Sequence, residues 1–140
     1  MKRIISAKIK KDHYKADACI LWCFDDRFSP LLQQLIAAKN FKHVDLIKVA
    51  GGARDLASQT YLLEQIEKSI KLHQTPRVVL MVHADCGAYG KKFESLADEQ
   101  KFYAEELRKA GEAVEKFLRK SNRKIKIERY FADFQGLRGG

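Results

Sequence analysis

The sequence predicts an α/β fold: a mostly parallel four-stranded sheet in the order 2-1-3-4, flanked by helices, in a single domain over residues 1–140. Three observations lead there. Short apolar runs without polar alternation, such as Ala18 to Phe24 and Arg77 to His83, suit strands buried on both faces. These runs alternate with longer stretches of helical apolar period, and such alternation builds parallel sheets through right-handed crossovers. The length is that of one ordinary domain. A hydrophobic fraction of 46% beside a charged fraction of 32% and two prolines excludes disordered, collagenous and membrane-spanning chains.

The elements follow in order. A basic arm, residues 1–16, carries charge but no apolar core behind it, so no signal peptide is expected. Ala18 to Phe24 is the first strand. Ser29-Pro30 then reads as an N-cap with proline at the first helical position, followed by the stripe Leu31, Leu32, Leu35 and Ile36 ending near Asn40. Val44 to Ala50 is a second strand, closed by Gly51-Gly52. An amphipathic helix is expected over Asp55 to His73, with Leu56, Leu62, Leu63, Ile66 and Ile70 on one side and Thr75-Pro76 as its stop. Arg77 to His83 is the third strand. Glu94 to Lys120 is a long helix, striped by Tyr103, Leu107, Ala110, Val114, Phe117 and Leu118, and Ile125 to Ala132 is the last strand.

In the order 2-1-3-4 the topological switch point lies between the first and third strands, and ligands bind beyond their carboxyl ends. The reactive residues are found there: Cys23-Phe24-Asp25-Asp26-Arg27 after one strand, His83-Ala84-Asp85-Cys86-Gly87 after the other. Two thiols and an imidazole form a borderline-soft ligand set suited to zinc, and His83-x-x-Cys86 lets one turn hold both residues on one ion. Three protein ligands leave a fourth position for water, the pattern of catalytic rather than structural zinc. Cys19 does not compete. Four residues along a strand place it about 13 Å from Cys23, so it is expected in the core. If the chain stays extended, Asp25 and Arg27 lie on the side of Cys23 and Asp26 points away. Asp25 then either ligates zinc and closes the site, or pairs with Arg27 and orients zinc-activated water, whose pKa falls toward about 7.

The run Cys23-x-Asp25-x-Arg27 followed by His83-x-x-Cys86 resembles the zinc site of β-class carbonic anhydrases. The Ala50-Gly51-Gly52 turn, the stretch HADCGA and the closing IERYFADFQG support the resemblance, which runs from about Cys19 to Gly136. It implies zinc on Cys23, His83 and Cys86, an Asp25–Arg27 catalytic dyad, and reversible hydration of carbon dioxide to bicarbonate by zinc-bound hydroxide. Some relatives instead hydrolyse carbon disulfide or carbonyl sulfide, and a scaffold that keeps zinc without turnover is the third possibility. The resemblance also implies a homodimer or higher homo-oligomer. Asp26 stands where serine is usual, and Lys48-Val49 where many members have Arg-Asn.

Gly51, Gly52 and Gly87 are candidate substrate contacts, with tight turns requiring positive φ as the equal alternative. Phe28 and Tyr89 either line the pocket or pack in the core. His13, His43 and His73 are expected at the surface. The 27 basic residues against 18 acidic give a net charge of +9, but the charges of the long helix interleave with Glu105, Glu106, Glu112 and Glu115. That is a solvated face, without a nucleic-acid-binding motif. No specific nucleic acid and no membrane partner is expected. Three cysteines without a disulfide framework point to the cytoplasm.

Overall fold

The computed structural model describes residues 1–119 and 124–139. Its strands are β1 (Ala18–Cys23), β2 (Val44–Val49), β3 (Arg77–His83), β4 (Lys126–Asp133) and β5 (Gly136–Gly139). Its helices are α1 (Ser29–Ala38), α2 (Thr60–His73) and α3 (Leu96–Leu118). The sheet runs β2-β1-β3-β4-β5. The first four strands are parallel in the expected order, and β5 pairs antiparallel with β4 from Asp133↔Gly136 to Tyr130↔Gly139. The four-strand expectation is therefore corrected to five. A two-residue hairpin loop, Phe134-Gln135, turns the chain. Asp133 Oδ1 accepts the N–H groups of Gln135 and Gly136, both at 2.9 Å, and Arg138 Nε donates to Oδ2 at 2.7 Å. Gly-Leu-Arg-Gly holds one apolar residue, too little for a strand signature. The Asp-Phe-Gln-Gly turn was the available clue.

β1 and β3 run through the middle of the sheet, and all of β1 is buried, as an apolar run without alternation requires. β2 is an edge strand and is only half covered. The chain steps outward from β1 to β2, then back across to β3 and β4. Right-handed crossovers thus put α1 on one face and α2 with α3 on the other, where the two helices touch.

Several boundaries moved for identifiable reasons. Ser29 does not cap α1. A short 3-10 turn over Asp26–Phe28 runs straight into the helix, and the Ser29 hydroxyl instead accepts from Lys48 Nζ at 2.9 Å. The helix expected from Asp55 is two pieces. A 3-10 turn over Gly52–Ala57 precedes α2, because the N–H groups of Ser58 and Gln59 both fold back on the Asp55 carbonyl. Leu56 is nonetheless fully buried. Ser95 caps α3, accepting from Asp98 N at 3.1 Å, so the helix starts two residues after Glu94. Lys120, its expected last residue, and Gly140 lie outside the described residues.

Candidate metal centre

Parallel pairing of β1 with β3 brings the end of each strand to the same edge of the sheet. Cys23 closes β1, His83 closes β3, and Cys86 follows one turn later. All three are buried, and their ligand atoms lie within 4.8 Å of one another. Tetrahedral ligands around zinc stand about 3.5–4 Å apart, so the group needs little adjustment to close on an ion. The imidazole is set for the task. His83 is 0% exposed, and its Nδ1 lies 2.8 Å from the Ala84 carbonyl, which fixes a proton on that nitrogen. Its Nε2 is buried without a hydrogen-bond partner among the described residues. A buried imidazole nitrogen left with its lone pair facing two thiols is what a metal would satisfy.

The thiols are coupled. The neighbouring Cys86 lowers the Cys23 thiol against the cost of burial, while the same contact and burial push Cys86 up. One thiolate therefore forms readily, and a cation supplies what the second needs. Burial opposes a charge on His83, but its contacts with Cys23 and Ala84 raise it on balance. Cys19 lies apart in the core, its thiol pushed up to about 12 by burial, and it does not join the cluster.

Asp25 and Arg27 meet, though not by the expected route. The chain does not stay extended past Cys23. Asp25 caps the 3-10 turn, its Oδ1 accepting the Arg27 N–H at 3.1 Å. That turn bends the Arg27 side chain back onto its own cap. Nε donates to Oδ1 and Oδ2 at 3.0 and 3.1 Å, and Nη2 to Oδ2 at 2.7 Å. The guanidinium holds the Asp25 carboxyl below the ordinary carboxylate range. Asp25 Oδ2 stands 3.9 Å from His83 Nε2, and Asp25 is not a member of the three-ligand group. Asp26 is exposed.

A cavity of about 640 Å³ opens on this group, lined by Phe24, Asp25, Arg27, Ala50, Gly51, Asp85, Gly87 and Ala88 together with the three ligands. Gly51 (φ +75°) and Gly87 border it; Gly52 does not. Gly52 sits behind the wall at φ +59°, where a Cβ would stand 2.3 Å from the Met81 carbonyl oxygen and 3.1 Å from Cys23 N. Gly87 has open space around it and no positive φ. Phe28 is buried with its ring 4.3 Å from that of His83, and Tyr89 packs edge-on against Phe102 and Tyr103, so both serve packing. His13 and His43 are exposed, whereas His73 is partly buried with Nδ1 2.7 Å from Asp45 Oδ2. Sequence reasoning assigned no role to Phe24, which lines the cavity, or to Asp85, which binds Arg27. The position of Asp85 between the two ligands of the second motif was the available signal.

The comparisons with known proteins agree with this geometry. A family described as "Putative carbonic anhydrase" matches residues 13–136. Among solved structures, the β-carbonic anhydrase isoform I of Trichomonas vaginalis superposes with a TM-score of 0.66 at 16% identity, covering 96% of this chain and 87% of that one. One of two tetrameric β-carbonic anhydrases of Sordaria macrospora gives 0.55 at 14% identity, covering 90% and 81%. The apo form of a carbon disulfide hydrolase gives 0.54 at 15% identity, covering 89% and 79%. No curated protein sequence matches. The matched residues take in both halves of the Cys-x-Asp-x-Arg and His-x-x-Cys arrangement and the four parallel strands up to the first residue of β5, and on them the chain belongs to this carbonic anhydrase family, with the fold of the β-class enzymes.

Proposed function

We propose that the protein catalyses the zinc-dependent reversible hydration of carbon dioxide to bicarbonate. The observation that carries this reading is an incomplete ligand set, Cys23, His83 and Cys86, facing a cavity while the nearest carboxylate is committed elsewhere. Those three residues would hold the ion, which when bound acts as a Lewis acid and makes water nucleophilic near neutral pH. Asp25 is ionised and turned toward the ligand group, so it accepts a hydrogen bond from the attacking water and sets its orientation. Arg27 keeps Asp25 off the ligand group and keeps it charged. Gly51 and Gly87 form wall without side chains, leaving room for a small linear substrate beside the backbone. Three free cysteines suit the reducing cytoplasm, and a homodimer or higher homo-oligomer is the expected assembly, in keeping with the tetrameric Sordaria enzymes.

Stopped-flow carbon dioxide hydration at alkaline pH, on protein of measured zinc content, tests the reading. Asp25→Asn should keep about one zinc per chain and lose at least about 100-fold in turnover. Unchanged turnover in that variant removes Asp25 from the mechanism. Zinc without carbon dioxide turnover, but with hydrolysis of carbon disulfide or carbonyl sulfide, would favour the second reading, which the hydrolase among the structural neighbours supports. Zinc with neither activity would make this a binding protein.

A further inference from the structure

We propose that Asp85 positions the Asp25–Arg27 pair, and that Glu99 holds Asp85 in place, so that the pair is the outer end of a four-residue chain anchored on α3. The inference rests on the reading of the site given above. Arg27 spends Nε and Nη2 on Asp25, but its Nη1 donates to Asp85 Oδ2 at 2.9 Å and its Nη2 reaches the Asp85 carbonyl at 3.3 Å. The guanidinium thus spans the two halves of the motif. One anchor follows β1, and the other lies between the ligands His83 and Cys86.

Arg27 is half exposed, and an arginine side chain tethered by one carboxylate alone keeps part of its rotamer freedom. A second anchor from the turn after β3 removes it. Asp85 is itself held. Its φ of +53° lies in the left-handed region, which costs an ordinary residue but suits aspartate, asparagine and glycine. Its N–H donates to Glu99 Oε1 at 3.0 Å, in the first turn of α3. With the guanidinium released, Asp25 keeps the Arg27 N–H bond to Oδ1, while Oδ2, already 3.9 Å from His83 Nε2, loses its side-chain partner among the described residues and can move onto the three-residue group. Asp85 therefore governs whether the fourth position stays open.

Asp85→Gly deletes the carboxylate while keeping a residue at ease with positive φ, and Asp85→Asn keeps an acceptor for Arg27. Metal content, kcat and KM for carbon dioxide hydration, and azide affinity of the cobalt-substituted protein by visible absorption should be measured together. Asp85→Gly is expected to keep about one metal per chain, lose at least about tenfold in kcat, and bind azide at least about tenfold more weakly, as removal of an outer partner typically does. Asp85→Asn should recover part of both losses, and Glu99→Ala should shift both in the same direction as Asp85→Gly. Wild-type kcat and azide affinity in Asp85→Gly would overturn the proposal. So would loss of the metal, which would reduce Asp85 to a turn residue. If the unaltered protein fails to hydrate carbon dioxide, the proposed function falls, and the azide comparison still decides the role of Asp85.

Discussion

Replacing Gly52 with alanine adds one methyl group at the most constrained point beside the candidate site. Gly52 opens the 3-10 turn after β2 at φ +59°, in a region that costs an L-residue about 1–2 kcal/mol. The new Cβ would stand 2.3 Å from the carbonyl oxygen of Met81 on β3, where real Cβ atoms do not come within 3.0 Å, and 3.1 Å from the backbone nitrogen of Cys23. Neither atom is a flexible side-chain end. Both belong to central strands, so relief requires the turn to move away or the β1–β3 edge to part. Forcing a methylene into a closed core typically costs about 1–3 kcal/mol, and the two effects together predict a loss of about 2–5 kcal/mol. Gly87→Ala is the control, since its Cβ meets nothing and its φ is not positive. Urea unfolding of the metal-free proteins reads the difference without the linkage that bound zinc would add. Gly52→Ala should unfold at markedly lower urea and Gly87→Ala within about 0.5 kcal/mol of the parent. A Gly52→Ala loss under about 1 kcal/mol, or an equal loss at Gly87, would refute the argument that Gly52 is demanded by close packing.

Two further predictions concern a charge cluster and the cysteines. Burial would raise the Glu128 carboxyl, but Lys126, Lys39, Tyr130 and Arg77 overcome it and hold the group at about 2, below its ordinary 4.5. Because the folded value lies below the unfolded one, this stabilisation is complete above about pH 4.5 and is lost as pH falls through about 2. Glu128→Gln should therefore cost up to about 3 kcal/mol at neutral pH, with a gap to the parent that closes between those limits. A gap that stays constant with pH would count against the charge cluster. Cys19→Ala should leave zinc at about one per chain by elemental analysis, at a stability cost of about 1 kcal/mol, while Cys86→Ala should abolish tight zinc binding. Zinc loss in Cys19→Ala would mean that the core thiol takes part in the site.

By itself the sequence determined most of the architecture and the ligand group. β1 and β3 are legible because a strand buried on both faces must be apolar throughout, and ACILWC and RVVLMVH are nearly so. The parallel order followed from alternation with helices, and the switch point of that order is where Cys23, His83 and Cys86 come together. The tertiary structure alone decided matters that depend on where separate segments meet. β5 exists because Asp133 organises a hairpin and β4 offers an edge, not because Gly-Leu-Arg-Gly favours a strand. The pairing of Asp25 with Arg27 turned on a 3-10 bend that alternation along an extended chain misdescribes. The three glycines look alike in sequence, yet Gly52 is separated from Gly87 by what a missing Cβ would touch across the sheet. Asp85 reaches Arg27 across 58 residues, and Glu99 reaches Asp85 across 14, only through folding. Local preference is written along the chain, whereas a second anchor, a clash or an orphaned nitrogen exists only between residues that the fold brings together.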